Sequence, residues 1–166
     1  HGVVIPPGET FSISKQIGEV STETGYQKAW VIREKRTILE AGGGVCQVST
    51  TLFRAALNTG LPIVERRAHY YRVGYYEQGG YPPGLDAAVY PPAPDLKFEN
   101  DTPAHLLIQT KVDKNQRRLA FEFYGTSDQR KTEVDKPIVH SQSPAPGTIY
   151  IDDPTLSPGI LVRVDW

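Results

Sequence analysis

The sequence predicts an α+β fold, mainly antiparallel β-sheet packed around one central helix that starts at the single cysteine. Three observations carry this. Only one stretch, residues 45–58, holds apolar residues at helical spacing over several turns. The rest breaks into short runs that alternate or are briefly apolar, as strands do. With 15 Gly and 14 Pro in 166 residues, turns are frequent and long helices are not.

Taken in order, Pro6-Pro7-Gly8 marks a turn, and residues 10–13 alternate polar with apolar as a strand. Residues 29–32 read as a short buried strand, 33–36 as an exposed turn, and 37–39 as its hairpin partner. Three glycines, Gly42 to Gly44, precede the helix. In it Val45, Val48, Leu52, Ala55 and Ala56 form one stripe, with Phe53 and Leu57 on the Cys46 side. Gly60 suits the left-handed position after the helix end, and Pro62 prevents continuation. Residues 63–65 read as a short strand. Residues 69–76 and 85–90 each read as a strand, separated by a Gly/Pro loop. Residues 96–100 form another, and 104–112 with 118–124 a hairpin whose core positions are Leu106, Ile108, Leu119, Phe121 and Phe123. Composition changes at Gly125. A first domain over 1–125 is therefore expected, then a polar linker and a small β appendage over 126–166, built from 148–151 and 160–164.

The formal net charge is −1 and no long Lys/Arg run occurs, which argues against a nucleic-acid partner. No 18-residue apolar run is present, so no membrane contact by this fragment is expected. There is no methionine and the chain begins His1-Gly2. The expectation is a piece of a longer chain, with any signal or anchor upstream. One cysteine makes no internal disulfide. Scattered His and one Cys show no paired metal-ligand spacing, and the triple glycine lacks the Lys-Ser/Thr of a phosphate loop. No metal and no cofactor are expected.

Cys46 is the candidate nucleophile. In a first helical turn it lies near unpaired backbone N–H groups and the positive end of the helix dipole, which favour a thiolate. The alternative is a small buried thiol. Ser49 and Thr50 share its helix face; they line a substrate site or simply cap and pack. The backbone N–H groups of Gly44, Val45, Cys46 and Gln47 are candidates for an oxyanion hole. A thiolate nucleophile calls for a base, and the base for an orienting group. Of four histidines, His1 is at an end, His140 is in the polar arm and His105 reads as a surface position. His69 remains as base, or as an ordinary structural histidine. Asp86, a carboxylate in an apolar run, is the candidate orienter, or else the ion-pair partner of Arg66, Arg67 or Arg72. Those arginines could equally bind a substrate carboxylate through their forked donors, and Arg66 and Arg67, together with Tyr71, are the further substrate-binding candidates.

Gly42-Gly43-Gly44-Val45-Cys46-Gln47-Val48-Ser49-Thr50-Thr51-Leu52 resembles the signature of the VanW domain family. Pro7-Gly8-Glu9-Thr10-Phe11-Ser12, the stretch Gly60 to His69, Gly84 to Tyr90, Asp95 to Phe98 and Asn100-Asp101-Thr102 agree with it in order. The resemblance covers about residues 3–125, and the tail is similar to the linker that in many members leads to a G5 domain. The family takes its name from vancomycin-resistance clusters and consists typically of exported or membrane-anchored bacterial proteins. The resemblance implies an extracytoplasmic, cell-wall location and peptidoglycan stem peptides as partners. Some members are L,D-transpeptidases that use the signature cysteine. It therefore implies that Cys46 forms an acyl-enzyme with a stem peptide, releases D-Ala and makes 3→3 cross-links. With water as acceptor the same chemistry is that of a carboxypeptidase. The Cys, His, acid order is also that of a papain-like peptidase, and a non-catalytic peptidoglycan-binding module is the third reading. The better-known L,D-transpeptidases carry Ser-His-Gly-Xaa-Cys, whereas here no histidine lies between His1 and Cys46, so nothing further is carried over from them.

Overall fold

A computed structural model describes residues 2–33, 36–144 and 147–163. Three antiparallel sheets surround one long helix. Strands β1 (Val3–Ile5), β7 (Leu106–Asp113) and β8 (Arg118–Tyr124) form the first, in the order β1-β7-β8. Strands β2 (Thr10–Ser12), β5 (Ile63–Glu65) and β6 (Lys97–Glu99) form the second, in the order β2-β6-β5. A separate hairpin pairs β3 (Lys28–Arg33) with β4 (Arg36–Ala41), with Trp30 opposite Leu39. A short helix α1 (Ile13–Ile17) follows β2, and α2 (Val45–Asn58) follows β4. The α+β expectation holds.

The core lies where α2 meets the first two sheets. Leu52, Phe53 and Ala56 of α2 pack with Ile5, Phe11, Leu96, Phe98, Leu106 and Ile108. Phe11 and Phe98, directly opposed on β2 and β6, stack with centroids 4.7 Å apart, and Phe123 of β8 closes on Phe98 at 6.0 Å. Two buried polar residues fix the connections. The Asp95 carboxylate accepts from the Ser12 hydroxyl, from the Ser14 hydroxyl and N–H, and from the Leu96 N–H, tying α1 to the start of β6. Asn100, fully buried, donates to Ile5 O and Ala104 O and accepts from Thr102, so the Asn100-Asp101-Thr102 stretch is a turn locked from inside.

Several expectations change. The 10–13 strand ends at Ser12, because Ser12 caps α1 by accepting from the Lys15 N–H. The buried face of α2 is Ser49, Thr50, Leu52, Phe53 and Ala56, while Val48 points outward. The turn expected at 33–36 falls partly on residues outside those described. Residues 69–76 are not a strand: they run irregularly into a 3₁₀ turn, Gly74–Glu77. Residues 85–90 join no sheet either. In 85–90 the backbone is met by side chains of α2 and Arg66 and by the Arg67 and Pro94 carbonyls, and in 69–76 the Asp86 carboxylate takes the His69 N–H while Arg54 meets the Tyr76 carbonyl. Among the described residues no strand follows Tyr124: 148–151 and 160–163 run without regular structure, and the end of the expected 160–164 strand lies outside the described residues. Ile149, Tyr150, Ile151, Ile160, Leu161 and Val162 all stand exposed, with no sheet or helix face to bury them. The arm is nonetheless tethered where it starts: Arg130 donates to Gly60 O at 2.9 Å and to Asp101 Oδ1 at 2.8 Å.

The glycine run is required by geometry. Gly42 and Gly44 have φ of 102° and 88°, where other residues are strained. Gly43 has no such φ, but a Cβ there would sit 2.0 Å from the Ala29 Cβ of β3. Gly43→Ala should therefore cost about 2 kcal/mol by overpacking alone. Ala29→Gly should relieve it, so that urea unfolding of the double variant shows a coupling of about 1 kcal/mol or more. Strict additivity would mean the hairpin does not press on the turn.

Candidate active site

The site is built from two elements that meet at the N-terminus of α2. The helix begins without a side-chain cap: Gly44 is in the left-handed conformation at the N-cap position. The first turn therefore keeps backbone N–H groups for other partners. Val45 N–H donates to Gly42 O and Gln47 N–H to Gly44 O. Those of Gly44 and Cys46 have no hydrogen-bond partner among the described residues. Of the four N–H groups expected to hold an oxyanion, Val45 and Gln47 are thus already spent, because the tight glycine turn closes on itself.

Cys46 is half-buried, and its Sγ donates to Val89 O at 3.5 Å. The neighbouring Tyr90 hydroxyl reaches Glu40 Oε1 at 3.4 Å, which brings the end of β4 to the same side. On the other side stands His69. Its Nδ1 lies 2.5 Å from Asp86 Oδ2, and its backbone N–H donates to the same oxygen at 2.8 Å. Asp86 thereby takes Nδ1, and Nε2 is left to serve the sulfur. Side-chain exposure is only 7% for His69 and 11% for Asp86, so this pair works in a site largely shielded from water.

Burial opposes charge on the imidazole. Hydrogen bonds to Asp86 and Cys46, and the charges of both, outweigh it and push His69 up to about 9. Burial likewise opposes charge on Asp86, but its bonds to the His69 ring and N–H, with the charges of His69 and Arg66, hold the carboxyl below its usual range. At neutral pH the site holds an imidazolium between a carboxylate and a sulfur. Among the described residues no group of three or more His, Cys, Asp and Glu is placed to hold a metal ion.

The structure thus brings Cys46, His69 and Asp86 together, though 40 residues separate the first from the last. Other sequence candidates have different positions. Ser49 and Thr50 do not line a cleft. Their side chains are buried, with the Ser49 hydroxyl on Ala87 O at 2.5 Å and Thr50 Oγ1 accepting from Ala87 N–H at 3.0 Å. Arg66 is also structural. Its guanidinium donates to Asp86 O and Gly84 O, faces Asp86 Oδ1 at 3.7 Å and lies over the Phe53 ring. Arg67 is exposed, with its carbonyl holding Ala88 N–H. Arg72 pairs with Glu77. Tyr71 is half-buried with its ring edge-on to Tyr70, while His105 and His140 are exposed. Sequence reasoning missed Tyr76, which is buried against His69, and Arg54, which holds it. The signal was there: Arg54 is the lone cation in an otherwise apolar helix turn.

The raised value of His69 has a consequence for stability. Since the folded value of about 9 lies above the ordinary 6.5, the stabilisation is complete below about pH 6.5 and is lost as pH rises through 9. Its upper bound is of the order of 3 kcal/mol. The difference in urea unfolding free energy between wild type and His69→Gln should therefore shrink between pH 6.5 and 9.5. A difference that grows over that range would contradict a charged, partnered His69.

The family model described as "VanW like protein" matches residues 1–124. The uncharacterized protein YoaR of Bacillus subtilis (strain 168) is 40% identical over 108 residues, covering 65% of this chain and 34% of that protein. The vancomycin B-type resistance protein VanW of Enterococcus faecalis (strain ATCC 700802 / V583) is 31% identical over 113 residues, covering 68% of this chain and 41% of that protein. The chain thus matches from a third to two-fifths of the length of these curated relatives. No solved structure matches. No helix among the described residues is long and apolar enough to cross a membrane. With the family model spanning three-quarters of the chain, and the Gly-Gly-Gly-Val-Cys run forming the turn that starts the central helix, the protein belongs to the VanW family.

Proposed function

We propose that this domain, residues 1–125, is an extracytoplasmic cysteine acyltransferase that acts on peptidoglycan stem peptides as an L,D-transpeptidase. The observation that carries the reading is the Asp86–His69–Cys46 constellation at an uncapped helix start. An imidazolium held by a carboxylate is a suitable partner for a thiolate nucleophile. The thiolate attacks the carbonyl carbon of the third stem residue, at the peptide bond to the terminal D-Ala, forming a C–S bond. The oxyanion this creates meets the N–H groups of Gly44 and Cys46. His69 passes its Nε2 proton to the amine of the departing D-Ala as the C–N bond breaks, leaving a thioester. A side-chain amine of a second stem then attacks the thioester. His69 takes up the amine proton, and the thiolate leaves. Water in place of that amine gives hydrolysis. Asp86 keeps the proton-shuttling nitrogen turned to the sulfur throughout.

Of the arginines first considered, Arg67 is the one left to bind the donor's carboxylate, because the Arg66 donors are occupied by the 84–86 backbone. Arg67→Lys should then raise KM more than it lowers kcat, since a point charge replaces a fork. The full test incubates the purified protein with disaccharide tetrapeptide muropeptides and follows intact mass. A 3→3 dimer with loss of D-Ala is expected, along with a mass increment on Cys46. Cys46→Ala and His69→Ala should give no product. Asp86→Asn should lose of the order of 100-fold or more by disturbing the ring orientation. Cleavage without any dimer would favour a peptidase, and no product from folded wild-type protein would sink the enzymatic reading.

A further inference from the structure

Asp86 alone does not fix the His69 ring. One hydrogen bond to Nδ1 leaves the imidazole free to rock about its Cβ–Cγ bond, a torsion with broad minima. Something must support its face. The Tyr76 ring does so, with its centroid 5.3 Å from that of His69 and its plane tilted by 36°. Tyr76 is itself rigidly held. It is 7% exposed, and its ring packs on Tyr75 at 4.5 Å. Its N–H donates to Val73 O at 3.0 Å, and its carbonyl accepts from Arg54 Nη2 at 2.6 Å. Arg54 is anchored in turn, donating through Nε to Leu85 O at 2.8 Å and lying 3.9 Å above the Tyr81 ring.

We infer that Tyr76 is a positioning residue for the Cys46–His69 pair: its ring is the wall that sets the tilt of the imidazole and so the direction of Nε2 toward the sulfur. The inference rests on the reading that Cys46 and His69 work together. Burial comes first among the effects on the Tyr76 hydroxyl. Tyr75 and the charge of Cys46 add to it, Thr50 opposes them, and the outcome is a titration far above the ordinary range. Tyr76 thus stays neutral wherever His69 titrates. The charged and titratable groups facing His69 are Asp86 and Cys46, with Arg66 behind Asp86. Tyr76 adds an aromatic face that favours the protonated ring without competing for its charge.

The test is the rate constant for alkylation of Cys46 by iodoacetamide between pH 5 and 9, in wild type, Tyr76→Phe, Tyr76→Leu and His69→Ala. This readout needs no peptidoglycan substrate. Tyr76→Phe keeps the wall and should follow the wild-type profile within about twofold, whereas Tyr76→Leu should lose about tenfold at pH 7 and move toward the His69→Ala profile. A Tyr76→Leu profile equal to wild type, or a Phe variant as impaired as Leu, overturns the inference. If His69→Ala itself matches wild type, the Cys46–His69 pair is not operating, and the proposed function falls together with this inference. Should Tyr76→Leu fail to fold, wild-type NMR decides. Cross-peaks between the Tyr76 ring protons and His69 Hδ2 or Hε1 are expected, and their absence overturns the placement of the wall.

Discussion

The structure depends on how α2 clasps the extended segment 84–90. That segment has no partner strand, yet many of its backbone polar groups are met by side chains. Leu85 O accepts from Arg54, Asp86 O from Arg66, and Ala87 O and N–H bond to Ser49 and Thr50. Val89 O accepts from Cys46. Four of these five side chains come from α2. A buried carbonyl or N–H left unpaired costs about 1–3 kcal/mol, so the clasp must be satisfied almost completely before the segment can lie in the core. It also decides which way Asp86 points. With Ala87 and Val89 buried against the helix, the Asp86 carboxylate turns to the 66–69 stretch, where it meets His69 and Arg66.

The glycine turn is the complementary constraint. It delivers the first turn of α2 without a side-chain cap, and the sulfur, two residues after Gly44, inherits the free N–H groups. A Ser or Asp at the N-cap would satisfy those donors and make a better helix. Here the left-handed Gly44 leaves them open. The hairpin pressed against Gly43 holds the turn in place, so local helix stability is given up where the chemistry is proposed to occur.

Much of this was legible in the sequence because it depends on local pattern. The 3.6-residue period marked α2, Gly60 marked its end, and alternation marked the β7–β8 hairpin. Alternation misled at 69–76 and 85–90, since period-2 patterning reports which faces are buried but not what pairs with the backbone. Nothing in the spacing of Ser49, Thr50 or Arg66 says that their side-chain hydrogen bonds go to main chain 18 to 38 residues away. Tyr76 was hidden for a related reason. In a run that also holds Tyr70, Tyr71 and Tyr75, composition cannot say which ring turns inward. Residues 148–151 and 160–163 are irregular and exposed here, since apolar residues at alternating positions make a strand only where a surface covers them.

The order of charges through the site follows from these placements. Arg66, Asp86, His69 and Cys46 form a row in which signs alternate if the sulfur is anionic. Each inner member is hydrogen-bonded to a neighbour of opposite sign, and Arg66 is fixed by two carbonyls and the Phe53 face. Removing Arg66 would leave a buried carboxylate with a single cationic partner. Removing Asp86 would leave an imidazolium facing only the sulfur. The coupling weakens outward along the row: Asp86 and Cys46 act on His69 directly, whereas Arg66 acts on Asp86. With its donors on the Asp86 and Gly84 carbonyls and its charge beside the Asp86 carboxylate, Arg66 holds the 84–86 stretch and favours the ionised Asp86, which leaves it little scope for the substrate contact its sequence position first suggested.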